Sequence, residues 1–303
     1  MSQYSLSFEK PIVELQKRLT DLEEFSRTQQ IDVTESLQEL EKKLEETRLN
    51  IYNNLSPWDK VQLASHPARP YTLDYINELF TDFVELHGDR RFSDDGAIIT
   101  GFAKLDGHRV AVVGTQKGRD VKTNIIRNFG MAQPEGYRKA LRVMQLASRF
   151  GLPVITFIDT AGAYPGVGSE ERHIAEAIAV NLREMMLIET PIIVTVIGEG
   201  GSGGALGIGV GNRIIILEHS YYSVISPEGC AAILWKDRAH APRAAEAHKL
   251  TAKDLLGFGL IDEIVPEPLG GAHTEQATRA ANLKKTLLKH LRELQKLTPS
   301  ELM

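Results

Sequence analysis

Five glycines stand within the seven residues Gly198-Glu199-Gly200-Gly201-Ser202-Gly203-Gly204, and Ala205-Leu206 follow. A backbone so stripped of side chains either turns tightly or lets another group come close. Tight strand-to-helix packing would use one or two such glycines, and three chemistries compete to explain the rest. Gly198, Gly200 and Gly203 satisfy G-x-G-x-x-G, with Glu218 placed 20 residues after the first glycine, as in a dinucleotide fingerprint. Against it, a crossover of roughly ten residues containing Gly207, Gly209 and Gly211 is short for a βαβ unit. Gly200-Gly201-Ser202-Gly203-Gly204 also satisfies G-x-S-x-G, the elbow that exposes a nucleophilic serine. Its acid and histidine would come from Asp237 with His240, or from Asp254 or Asp262 with His273. In the third reading, bare N–H groups of Gly203, Gly204 and Ala205 at a helix start face an oxygen that gains negative charge during reaction. Each such donor is typically worth ~3 kcal/mol, and no side-chain nucleophile is needed. A P-loop is excluded, because no Gly-Lys-Ser/Thr follows the glycines.

A second segment of small residues, Ile158-Asp159-Thr160-Ala161-Gly162-Ala163-Tyr164-Pro165-Gly166, begins where another apolar run ends, and Ser169, Glu170 and Glu171 can start the next helix. Ligands of parallel sheets gather at the carboxyl ends of strands, so the two segments are expected to border one site. Asp159, Glu199 and His173 are the polar candidates beside them, each with a plain alternative as a cap or packing residue. Residues 115–143 carry 7 basic and 2 acidic side chains. Lys117, Arg119, Lys122, Arg127, Arg138 and Lys139 within them could meet an anionic ligand, with a solvated charged face as the alternative.

These segments need a scaffold. Residues 153–158, 191–197 and 214–217 are continuous apolar runs separated by helical patterns at residues 135–150 and 170–187. That alternation predicts an α/β protein whose strands are buried on both faces and joined by right-handed crossovers. Residues 97–105 and 110–116 flank Asp106-Gly107, the signature of a type I′ hairpin. A helix is predicted from Thr72 with Tyr75, Ile76, Leu79 and Phe80 on one face, and another along Ala280, Leu283, Leu287, Leu291 and Leu294. Residues 8–55 predict two amphipathic helices folded as a hairpin with a break near Thr28–Asp32, packed on the chain's own core or on another subunit.

Composition narrows the class. Of 303 residues, 42% are hydrophobic and 25% charged, which excludes wholesale disorder. Cys230 is the single cysteine, so no internal disulfide or cysteine-rich zinc site can form, and a reducing cytoplasmic compartment is expected. No apolar run reaches the ~18 residues of a membrane span. The net charge of -5 and the missing nucleic-acid motifs argue against general nucleic-acid binding, although residues 1–50 hold 11 acidic and 7 basic groups, a separate charged surface.

Seven ordered motifs together resemble one family. They are Leu86-His87-Gly88-Asp89-Arg90, Gln116-Lys117-Gly118-Arg119, Asn128-Phe129-Gly130-Met131, Pro134-Glu135-Gly136-Tyr137-Arg138-Lys139, the segment from Ile155 to Gly166 followed by Glu170-Glu171-Arg172-His173, the segment from Gly198 to Leu206, and Ser226-Pro227-Glu228-Gly229-Cys230. The chain resembles the carboxyltransferase alpha subunits of bacterial and plastid-type acetyl-CoA carboxylase. The resemblance implies a crotonase-like (ClpP/crotonase superfamily) β-β-α superhelix over residues 57–303, with an N-terminal helical hairpin in residues 1–56. It implies transfer of a carboxyl group from carboxybiotin, held on a biotin carboxyl carrier protein, to acetyl-CoA, giving malonyl-CoA for fatty acid synthesis. By motif position, Gly203, Gly204 and Ala205 would offer backbone N–H groups to the biotin ureido oxygen. Gly162, Ala163, Tyr164, Pro165 and Gly166 would line the biotin side, and Lys117, Arg119, Arg138 and Lys139 would meet CoA phosphates or a partner. The biotin anion left behind can deprotonate the acetyl methyl group, which accounts for the lack of an obvious acid–base pair.

The same resemblance implies a carboxyltransferase beta subunit in an alpha2–beta2 assembly, with biotin carboxylase in the holoenzyme, in the cytoplasm or a plastid stroma. No cofactor is expected to be bound covalently to this chain. Zinc is expected only in the beta subunit, whose four-cysteine ribbon a chain with Cys230 alone cannot supply. Two other readings stay open: a serine hydrolase of the same superfamily acting through Ser202, and a non-catalytic scaffold built on the hairpin.

Overall fold

The computed structural model describes residues 4–29 and 31–302. Helices α1 (Lys10–Gln29) and α2 (Thr34–Asn53) pack on each other as the predicted hairpin. Its base is seated on the chain itself: Leu6, Ile12 and Tyr52 bury against Leu63, with Phe8, Leu44 and Leu269 around them. The guanidinium of Arg48 reaches the carbonyl of Leu269 at 3.5 Å. At the other end Phe25 and Ile31 stay exposed. Helix α3 (Pro57–Ala64) starts where Ser56 and Asp59 form a reciprocal capping box and Pro57 takes the first helical position.

Helix α4 (Thr72–Leu79) passes without a loop into strand β1 (Phe80–Glu85). The helical pattern through Phe80 concealed this strand. Asp82 sits at φ 56° inside a register shift, so the period-2 alternation of an edge strand is broken there. Strands β2 (Ile98–Leu105) and β3 (His108–Thr115) form the predicted hairpin, with Asp106 and Gly107 both at positive φ, as a type I′ turn requires. Helix α5 (Val121–Ile126) follows, capped by Asp120, and then α6 (Pro134–Arg149).

Strand β4 (Val154–Thr160) is buried at all seven positions and runs parallel to β3 and to β5 (Ile192–Gly201). Between them the helix predicted for residues 170–187 is two helices, α7 (Val167–Glu171) and α8 (Ile174–Met185), broken at His173 with φ 65°. Helix α9 (Ser202–Leu206) leads to β6 (Arg213–Leu217) and β7 (Tyr221–Ser223). Helices α10 (Pro227–Trp235), α11 (Ala241–His248) and α12 (Ala252–Gly257) precede β8 (Glu263–Val265), and α13 (Gln276–Leu294) closes the core. The sheet order is β1-β2-β3-β4-β5-β6-β8, with β7 paired to the far half of β5.

Apolar residues fill both faces of this sheet. Tyr137, Ala140 and Met144 of α6 and Ala177 of α8 cover one side; Tyr75 and Ile76 of α4 and Leu283, Leu287 and Leu291 of α13 cover the other. That is the two-sided burial the continuous apolar runs predict. No helix among the described residues is long and apolar enough to cross a membrane.

Candidate active site

The two small-residue segments do meet, at the carboxyl ends of β4 and β5. Half of the glycine-rich stretch is strand rather than loop. Thr160 pairs with Gly200, and Glu199, Gly200 and Gly201 pair with Tyr221, Tyr222 and Ser223. Here glycine serves close approach more than turning: a Cβ on Gly201 would lie 2.8 Å from the Thr160 carbonyl oxygen, and one on Gly204 would lie 2.5 Å from the Ala163 nitrogen. At Ser202 the strand breaks, with φ 53°, into the first turn of α9.

This break decides which amides are available. In helical geometry the N–H groups of Ser202, Gly203 and Gly204 precede the first intrahelical bond, whereas that of Ala205 falls where the first turn closes. The carbonyls are already used: that of Gly203 accepts from Gly207 N at 2.9 Å, and that of Gly204 accepts from Tyr137 Oη at 3.2 Å. Gly204 is buried and Gly203 is half-exposed; a Cβ on Gly203 would meet only Ile178 Cδ1, at 3.6 Å. Gly203 therefore presents the open face of this turn, and Gly204 is locked against the second segment.

Gly203 and Ser202 edge a cavity of about 440 Å³ whose walls are largely apolar, from Leu206, Tyr222, Val224, Ile225, Leu255, Phe258 and Leu260. Sequence reasoning did not find this wall. Its sign was a set of large apolar residues beyond β7, of which Val224, Phe258 and Leu260 are exposed. Residues 162–166 lie behind it. Gly162 and Ala163 pack under Gly204, the Gly162 amide donates to Thr160 Oγ1 at 3.2 Å, and the Tyr164 amide donates to the Ala132 carbonyl at 2.9 Å. Tyr164 and Gly166 are half-exposed and Pro165 exposed.

Beneath the glycines lies an ion network. Lys117 Nζ donates to Asp159 Oδ1 at 2.7 Å and to Glu199 Oε2 at 2.5 Å. The Glu199 amide donates to Asp159 Oδ1 at 2.9 Å, and Tyr221 Oη donates to Glu199 Oε1 at 3.1 Å. A Cβ on Gly198 would lie 2.5 Å from that same Asp159 oxygen, so this glycine makes room for the carboxylate. Burial works against the Lys117 charge, but Asp159 and Glu199 outweigh it and hold the ammonium well above the ordinary lysine range. Glu199 is held below its usual range because Lys117 overcomes the burial that would push it up. Asp159 and Glu199 thus gain a role tying strand ends together, while His173 marks only the break before α8.

The basic stretch is mostly tied up internally. Lys117 is consumed by the network. Lys139 is buried and donates to Asp94 Oδ1 at 2.6 Å and to the Asp95 carbonyl at 2.7 Å. Arg119 pairs with Asp74, donates to the carbonyls of Pro67 and Arg69, and lies 3.9 Å over the Tyr71 ring. Arg138 donates to Asp89 at 2.8 Å and Arg127 to the Gly96 carbonyl at 2.7 Å, while Lys122 is exposed. The missing signal is long-range: the carboxylates that neutralise these cations lie tens of residues away.

Two of the competing chemistries lose their geometry. Gly198 and Gly200 are in a strand and α9 has five residues, so no pyrophosphate loop opens a crossover helix, and Glu218 accepts from the Glu267 amide at 3.1 Å. Ser202 has the strained backbone of a nucleophile elbow, but its proposed partners are elsewhere. Asp254 caps α12 through Thr251, Asp262 accepts from Ile214 N, and His273 stacks on His66 with ring centroids 4.0 Å apart. Asp237 accepts from the Ala239 amide, and His240 lies edge-on to Trp235. His248 shares the cavity with Ser202, yet no hydrogen bond joins them among the described residues.

The family model for acetyl co-enzyme A carboxylase carboxyltransferase-like proteins matches residues 5–303. The acetyl-coenzyme A carboxylase carboxyl transferase subunit alpha of Syntrophotalea carbinolica is 57% identical over 99% of this chain and 95% of its own length. The subunit of the same name from Geobacter metallireducens is 57% identical over 99% of this chain and 94% of its length. Among solved structures, the transcarboxylase 12S hexamer core superposes with a TM-score of 0.60 at 18% identity, covering 75% of this chain and 42% of that one. A Pseudomonas malonate decarboxylase hetero-tetramer in complex with coenzyme A superposes with a TM-score of 0.57 at 17% identity, covering 67% of this chain and 82% of that one. The mixed α/β fold is thus shared with these solved transcarboxylase and decarboxylase structures, and the N-terminal helices are present in this chain.

Proposed function

This chain belongs to the carboxyltransferase alpha-subunit family of acetyl-CoA carboxylase, and from that premise we propose that it forms the biotin-side half of a carboxyl-transfer site. Carboxybiotin on a biotin carboxyl carrier protein is the donor and acetyl-CoA the acceptor. The acyl-CoA half comes from a zinc-bearing beta subunit, and activity requires both chains, in an alpha2–beta2 assembly served by biotin carboxylase. The observation that carries this reading is the break at Ser202, which leaves bare backbone amides at the edge of an apolar cavity.

The residues suit the donor. A neutral bicyclic urea needs an apolar wall and a hydrogen-bond donor for its one strongly accepting oxygen. Leu206, Tyr222, Ile225 and Phe258 supply the wall, the amide of Gly203 at its edge is the first donor we assign, and that of Gly204, buried next in the same turn, is the second. As the carboxyl group leaves the urea nitrogen, negative charge collects on the ureido oxygen, and donors already aimed there lower the barrier without reorganising. Lys117 holds the ends of β4 and β5 in fixed relation through Asp159 and Glu199, so both small-residue segments keep their places. Ala205, whose amide closes the first turn, supports this reading through its buried side chain rather than as a third donor.

The test is carboxyl transfer in the complex reconstituted with a beta subunit. Gly203→Val, which crowds the open face of the turn, is expected to lower turnover about a hundredfold, the typical worth of one oxyanion donor. Unchanged turnover would sink the proposal. Ser202→Ala separates this reading from a hydrolase: malonyl-CoA formation within about twofold of wild type is expected, and its collapse together with fluorophosphonate labelling of wild type would favour the serine mechanism.

A further inference from the structure

We propose that a second cleft, lined by Arg90, Arg91, Arg138 and Arg142, binds the phosphate groups of a small phosphorylated anion. The charges of the cleft carry this site independently of the carboxyl-transfer reading.

The cleft has a volume of about 270 Å³ and lies between the loop after β1 and helices α6 and α8. Its loop is wrapped around one carboxylate. Asp89 Oδ1 accepts from the amides of Arg91, Phe92 and Ser93 at 2.9, 2.7 and 3.1 Å, and Oδ2 accepts from Arg138 Nε at 2.8 Å. Asp89 is thereby spent on the backbone and on Arg138. The other three guanidiniums have no carboxylate within 4.0 Å among the described residues. Arg90 donates to the His87 carbonyl at 2.9 Å, and Arg142 donates to the carbonyls of Gly88 and His87 at 3.1 and 3.2 Å. Carbonyls orient these side chains without neutralising them.

Glu176, exposed on α8, is the one other carboxylate lining the cleft, so a positive excess remains. Burial and the neighbouring Arg90 charge hold Arg142 below the ordinary arginine range, outweighing the attraction of Asp94 and Asp89, neither of which pairs with it within 4.0 Å. Guanidinium forks match phosphate oxygens two at a time, and several around one small space favour a multiply charged phosphate over a single carboxylate. The contrast with Lys117 and Lys139, each seated on carboxylates of this chain, sets this cluster apart from the rest of the basic stretch.

Titration calorimetry of the full chain with inorganic phosphate and with pyrophosphate, at low ionic strength, tests the site. Saturable binding is expected, tighter for pyrophosphate. An Arg90→Gln/Arg142→Gln double variant is expected to weaken it about ten- to a hundredfold, the loss typical of charge-assisted bonds. Glu176→Gln, a change on the exposed surface, is expected to tighten it severalfold. No saturable binding, or a Glu176→Gln affinity equal to wild type, overturns the proposal, as does unchanged affinity in the double variant. In the complex with a beta subunit, competition by acetyl-CoA would identify the ligand as the phosphate-bearing tail of that substrate. Simultaneous binding would identify a separate phosphorylated metabolite, and either outcome supports the site.

Discussion

Replacing Lys117 with methionine keeps most of the side-chain volume and removes only the charge that two carboxylates share. Asp159 and Glu199, with side chains 1% and 16% exposed, would then face one another across the place the ammonium had held, without their shared counter-charge. Breaking a buried pair by deleting one partner costs about 3–5 kcal/mol. For a chain of this size the urea m-value is at least about 3 kcal/mol/M, so the unfolding midpoint should fall by about 1 M at pH 8. The pH dependence identifies the cause. In the variant the burial of Glu199, no longer opposed by Lys117, pushes it above its unfolded pKa, so the stability carried by its protonated form is present at acid pH and is lost as pH rises through the raised folded value. In wild type Glu199 is held below its usual range, so its contribution is present above that range and is lost only as pH falls through the lowered folded value. The variant should accordingly recover much of the midpoint difference between pH 8 and pH 5. A shift below about 0.3 M at pH 8, or one equal at the two pH values, would refute the reasoning.

The paired glycines should separate packing from presentation. Gly203→Ala has room for its methyl group and should melt with wild-type Tm, whereas Gly204→Ala sets a Cβ 2.5 Å from the Ala163 nitrogen and should lose about 1–3 kcal/mol; equal melting temperatures would contradict this. His273, stacked on His66, is pushed down to about 4 by burial, by the His66 charge and by Arg69. Its depressed folded pKa means stability is lost as pH falls from about 6.5 toward that value. His273→Asn should therefore show a shallower fall in Tm between pH 6.5 and pH 4, and slopes matching wild type would remove His273 from the account.

The parts of this architecture that announce themselves are those where burial is two-sided. Strands β4 and β5 are continuous apolar runs because helices cover both faces, and Asp106-Gly107 betrays a hairpin because few dipeptides accept two positive φ values. Strand β1 is hidden because an edge strand with a bulge has no clean alternation, and β8 because three residues establish no period. The glycine-rich stretch was legible as special, but its meaning was divided. Gly198, Gly200 and Gly201 make room for Asp159, Tyr222 and Thr160, contacts between distant segments that spacing along the chain does not carry. The same reason explains the lysines. Lys117 reads as a surface cation until Asp159 and Glu199, 42 and 82 residues away, are seen to enclose it.

The seat of the N-terminal hairpin has a consequence for how the chain is made. Leu6, Ile12 and Tyr52 bury against Leu63 beside Leu269, Tyr52 lies 6.4 Å from the ring of His219, and Arg48 reaches the Leu269 carbonyl across 221 positions. Ribosomes add about 5–20 residues per second, so the first helices wait roughly 10–40 seconds between their own emergence and that of the surface they dock on. Through that interval their apolar stripe has only the opposite helix of the hairpin and Leu63 to cover it. The two 20-residue helices must therefore hold together on their own contacts during synthesis.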